Sequence, residues 1–117
     1  MTHACLRLVK LRPVDDHCHL VADDGAPGLD LRGDEARDVL ARAAPLFARV
    51  LAHRPGVLRA LSIDPRARRL LATVAVDGAA KPAVVRVDGD AFDALLATHR
   101  ELWDELGARY RARRPAT

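Results

Sequence analysis

Residues 57–87 read VLRALSIDPRARRLLATVAVDGAAKPAVVRV, three apolar runs cut by two turn signals. Residues 57–63, 70–76 and 83–87 each carry the β-branched, apolar character of strands. Asp64-Pro65-Arg66-Ala67 supplies a turn between the first two, and Asp77-Gly78 opens the loop to the third. Connections this short join neighbours that run antiparallel, so the segment predicts a three-stranded meander. Alternation is imperfect in the first strand, where Val57, Leu61 and Ile63 stand against Arg59. The middle strand is apolar on both faces, as a central strand is. In the third, Ala83, Val85 and Val87 face one way and Arg86 the other.

Beyond the meander, residues 90–114 (DAFDALLATHRELWDELGARYRARR) hold three of the chain's four aromatics. Phe92, Leu95, Leu96, His99, Leu102, Trp103, Leu106 and Tyr110 recur at helical spacing, predicting one long amphipathic helix laid over the strands. Asp90 suits the N-cap, and Pro115 ends the helix. On the other side of the meander, residues 34–54 predict a second helix with its stripe at Ala36, Val39, Leu40, Ala43, Phe47, Val50 and Leu51. Pro45 falls inside it, and the stripe keeps phase through the proline, which predicts one kinked helix. Residues 23–33 (DDGAPGLDLRG) form a turn-rich connection, with room for a short strand at 29–31.

At the N-terminal end, residues 4–11 (ACLRLVKL) and 17–22 (HCHLVA) predict a strand pair around RPVDD. A five-residue loop sets Leu11 opposite His17, Leu8 opposite Leu20 and Leu6 opposite Ala22. Leu6, Leu8, Cys18, Leu20 and Ala22 then share the core face, and Cys5, Arg7, Val9, His17, His19 and Val21 the other. The order is β-β-α-β-β-β-α. This predicts an α+β two-layer sandwich, a mainly antiparallel sheet with two helices on one face. Residues 1–114 form a single domain, 115–117 form a frayed C-terminal tail, and no internal repeat stands out. Half of the 117 residues are apolar and 30% are charged, a globular balance. No apolar run approaches the ~20 residues of a membrane span. The opening MTHACLRLVKLRP lacks the layout of a secretion signal, so a cytoplasmic location is expected.

Chemistry is sparse. Ser62 is the single serine, there is no Asn or Gln, and the glycines are scattered, with no phosphate-cradling run. Ser62 lies in a strand without the G-x-S-x-G elbow. Hence we expect neither enzyme activity nor a cofactor. The acids of residues 23–35 lack calcium-loop spacing. His17 and His19 point to one side of their strand and, with Asp16, form a candidate metal set; Cys18 points the other way. Charge is polarised: residues 13–38 carry eight acids and two arginines, whereas 54–69 carry five arginines and one acid. The preferred expectation is a small adaptor or accessory subunit acting through protein contacts, a homodimer. Its contact surface is His99, Trp103, Leu106, Arg109, Tyr110 and Arg113, because Trp and Tyr anchor interfaces. A nucleic-acid-binding module using Arg66, Arg68, Arg69, Arg111 and Arg114 is the alternative, and a metal-binding protein is third.

Overall fold

A computed structural model describes residues 6–23 and 25–113. His3, Cys5, Asp24, Arg114 and the tail lie outside the described residues. Ten helices and strands follow one another as β1 (Leu6–Arg12), β2 (His17–Ala22), β3 (Leu29–Arg32), α1 (Gly33–Arg42), α2 (Ala44–His53), β4 (Val57–Asp64), β5 (Arg69–Ala75), β6 (Ala83–Asp88), α3 (Gly89–Thr98) and α4 (Arg100–Arg113). The strands make one antiparallel sheet in the order β3-β2-β1-β4-β5-β6. The α+β class and the meander of β4, β5 and β6 are as the sequence predicts. The short strand at residues 29–32 adds a sixth strand, and four helices stand in place of two.

One face of this sheet is buried. Leu20, Val9, Ile63 and Leu70 lie side by side across four strands, as do Leu31, Cys18, Leu11, Leu61, Ala72 and Val85 across all six. Each of these side chains is buried. Leu11 and Leu61, fully covered at the centre, each contribute about 1.5–3 kcal/mol of transfer free energy. Ala36, Val39 and Leu40 of α1, Leu46 and Val50 of α2, Phe92 of α3, and Leu102, Leu106 and Tyr110 of α4 close the same core.

Three details differ from expectation. The β1–β2 register is Arg12↔His17, Leu11↔Cys18, Val9↔Leu20 and Leu8↔Val21, one residue from the predicted pairing. Pro13–Asp15 wind into a tight 3-10 turn and Asp16 takes a left-handed conformation, so the loop uses four residues. A bulge at Arg7 absorbs the difference and restores Leu6↔Ala22. In consequence Val9 is in the core, and Leu8 is on the other face. The first helix is broken at Ala43, not merely kinked. Pro45 sits in the first turn of α2 and has no N–H to continue the ladder. The long helix is broken at His99, where the Thr98 hydroxyl donates to the Ala94 carbonyl and competes with the backbone bond. It also begins earlier: Asp88 is the N-cap, and Asp90 pairs with Arg68.

The topology also contains a repeat that the sequence conceals. Residues 6–53 and 57–113 each trace β-β-β-α-α, and an approximate twofold axis normal to the sheet passes between β1 and β4. Both halves bulge at an arginine, Arg7 and Arg59. A left-handed residue follows in each turn, Asp16 (φ 48°) and Arg68 (φ 50°). Each helix pair opens on a left-handed glycine, Gly33 (φ 65°) and Gly89 (φ 57°), and breaks ten residues later, at Ala43 and His99. Arg37 meets Asp16 at 3.3 Å in the first half, and at the same place in the second Asp93 meets Arg68 at 2.6 Å. The charges are exchanged between the halves.

Neither Gly33 nor Gly89 has any neighbour where a Cβ would stand, so only backbone strain opposes a side chain there. Gly33→Ala and Gly89→Ala are each expected to cost about 1–2 kcal/mol. Urea unfolding of the two variants checks this, and clearly unequal costs would count against structural equivalence of the halves.

Candidate functional site

Alternation sends every second strand residue away from the helices, and among the described residues no element covers that side. The register arranges these residues in rows across the sheet. Arg32, His17 and Arg12 begin one row, and Ala60, Thr73 and Val84 continue it on the second half. Asp30, His19, Lys10, Ser62, Leu71 and Arg86 make the next. Strands lie about 4.8 Å apart, so adjacent members of a row are side-chain neighbours.

The corner on β1, β2 and β3 is polar. Lys10, Arg12, Asp15, His17, His19 and Arg32 line an open hollow there. His17 Nε2 and His19 Nδ1 both lie 2.8 Å from Asp30 Oδ1. When neutral, each ring therefore carries its proton on the nitrogen facing Asp30. These two hydrogen bonds hold the Asp30 carboxyl below its usual range. The His19 ring lies against Gly28, where a Cβ would come within 2.5 Å of Cε1. Arg12, Arg32 and Lys10 have no carboxylate partner among the described residues.

The two histidines share a face, as their spacing predicts, but the acid that joins them is Asp30. Asp16 is turned to Arg37 instead. The β2–β3 register sets Asp30 opposite His19 and diagonal to His17, thirteen positions earlier in the chain, a contact that sequence reading cannot see. Among the described residues no group of three or more His, Cys, Asp and Glu side chains is placed to hold a metal ion. Cys18 points inward, fully buried, and burial raises its thiol to about 11.

The corner on β4, β5 and β6 is apolar. Val57, Leu71 and Val84 are 57%, 39% and 67% exposed, and they are three of the four exposed large hydrophobic side chains among the described residues. Half-buried Ala60, Thr73 and Ala75 lie between them. Arg59 and Lys81 flank an adjoining hollow floored by Thr73, Ala75, Val76 and Pro82.

The surface expected on the long helix is largely internal. Leu106 and Tyr110 are buried at 0% and 1% exposure, which withdraws them from any partner. Arg109 reaches Asp38 and Glu105, and Arg113 reaches Glu35, so these cations dock α4 on α1. Trp103 and His99 line a small apolar hollow with Leu46, Ile63, Leu70 and Phe92. The arginines of the nucleic-acid alternative are dispersed. Arg68 pairs with Asp90 and Asp93 and Arg69 with Asp88, while Arg66 lies in the β4–β5 turn and Arg111 near the end of α4.

His99 Nε2 is buried without a hydrogen-bond partner among the described residues. Desolvation, followed by the nearby Arg49 charge, holds this imidazole below its ordinary value near 6.5. The folded state thus binds its proton less readily than the unfolded chain does. Stability from this group is present above the ordinary value and is lost as pH falls below it. Replacing His99 with Leu removes that contribution. Thermal melts at pH 8 and pH 5 should show a smaller loss for His99→Leu than for the parent; an equal loss would show that His99 does not carry it.

No protein-family model, no curated protein and no solved structure matches this chain.

Proposed function

We propose that the chain is a small non-enzymatic accessory or adaptor domain that works through protein contacts, with a second copy of itself as the first partner. The observation that carries this reading is the apolar patch of Val57, Leu71 and Val84 on the uncovered face of β4, β5 and β6. Contiguous apolar surface with a polar rim is the usual mark of an interface. The patch is centred on β5, the middle strand of its half. A twofold axis along β5 would set Leu71 against its own counterpart and Thr73 against Thr73, with β4 facing β6 of the partner. Isologous twofold dimers are the commonest closed oligomers, and two sheets pack face to face in this way. The second copy is also favoured by charge. Where those rows cross β4, β5 and β6 only Arg86 is charged, and that arrangement brings it over Ser62, not over another arginine. No described helix is long and apolar enough to cross a membrane.

Light scattering across a concentration series tests the reading. The parent chain is expected to sediment and scatter as a dimer that dissociates on dilution. Leu71→Asp with Val84→Asp should shift it to monomer without loss of fold, because both side chains already face solvent. A strictly monomeric parent at high concentration would overturn self-association.

A further inference from the structure

The polar corner on β1, β2 and β3 has a different chemistry from the patch, and the repeat sets out the contrast. Positions equivalent to Arg12, His17 and Arg32 in the second half are Asp64, Arg69 and Asp88, with Arg69 paired to Asp88 at 3.3 Å. There the one cation is paired within the row, and the acids outnumber it. In the first half the same row holds two arginines with an imidazole between them, and Lys10 stands in the row beside it. Of the two carboxylates nearby, Asp30 is already engaged by both histidines, which leaves Asp15 alone against three cations. A metal cation placed here would meet that positive field, whereas an anion would be drawn by it.

We propose that this hollow is a binding site for a phosphate group, carried by a small di- or polyphosphate ligand. Arg12 and Arg32 present planar forks suited to phosphate oxygens from either side of His17, and Lys10 adds a point charge from below. Asp30 does not touch the ligand. It fixes the two imidazole rings by their shared oxygen, and so keeps His17 upright between the arginines. Gly28 is a positioning residue, because any side chain there would push His19 off Asp30. The site lies on strands that the proposed dimer contact does not use, so the two readings fail independently.

The test is calorimetric titration of the full chain with pyrophosphate, alongside 31P NMR, at ~50 mM and then ~300 mM salt. One site is expected, weakened at the higher salt. Lys10→Ala, Arg12→Ala and Arg32→Ala should each weaken binding about tenfold, the effect of one charge-assisted hydrogen bond. Gly28→Ala should weaken it and shift the His19 ring signals, while Arg66→Ala and Arg111→Ala should leave it unchanged. Leu71→Ser with Val84→Ser, which adds no charge to this face, should change the oligomeric state but not this affinity. Absence of pyrophosphate binding at ~50 mM salt would overturn the proposal. So would binding that survives the Lys10→Ala, Arg32→Ala double variant with the fold intact by circular dichroism. Binding of a single-stranded oligonucleotide without binding of pyrophosphate would overturn it as well, in favour of a surface that tracks a nucleic-acid backbone.

Discussion

Pairing of β1 with β4 is the constraint on which the molecule depends. It joins two three-stranded meanders edge to edge, and it places Leu11 against Leu61 and Val9 against Ile63 at the centre of the buried face. Either meander alone would expose a long apolar edge strand, the arrangement that invites aggregation. Joined, they make one sheet whose inner face is wide enough for two helix pairs to cover. Because all four helices are needed there, none remains for the other side. The open face is therefore a consequence of how the core is closed.

Much of this was legible in the chain itself, and the misses have physical causes. Residues 57–87 announced a meander because three apolar runs are separated by turns made by Asp-Pro and Asp-Gly. Helical stripes were equally plain from Ala36 to Leu51 and from Phe92 to Tyr110. The β1–β2 register was not legible. It depends on a bulge at Arg7 and a left-handed Asp16, and neither has a signature in residue type. Breaks at Ala43 and His99 escaped because the buried stripe continues from one helix of each pair into the next. The repeat escaped because its halves share conformations, such as the left-handed glycines, and few identities.

The candidate site divides in the same way. His17 and His19 were visible as a same-face pair, since alternation along a strand requires it. Their partner was not, because strand pairing brings Asp30 from a four-residue strand that turn signals nearly obscure. Trp103 and Tyr110 look like interface anchors by type. Tyr110 is in the core, and Trp103 packs against it, because a large aromatic at helical spacing fills the gap between a helix and a twisted sheet just as well. Polarised charge proved to be mostly an internal matter. The acids of α1 receive the arginines of α4, which fixes where the last helix lies.

The exchanged ion pairs, Asp16 with Arg37 and Arg68 with Asp93, bear on how a chain with two similar halves finds one structure. Two similar halves offer a misfolding route in which each helix pair settles on the wrong meander. In that arrangement Asp16 would face Asp93, and Arg37 would face Arg68. Both contacts would then repel, whereas the native arrangement satisfies both. Had the two halves kept identical charges, either arrangement would have been satisfied equally. Reversing the sign at one copy therefore works as an address label, telling each pair of helices which three strands are its own.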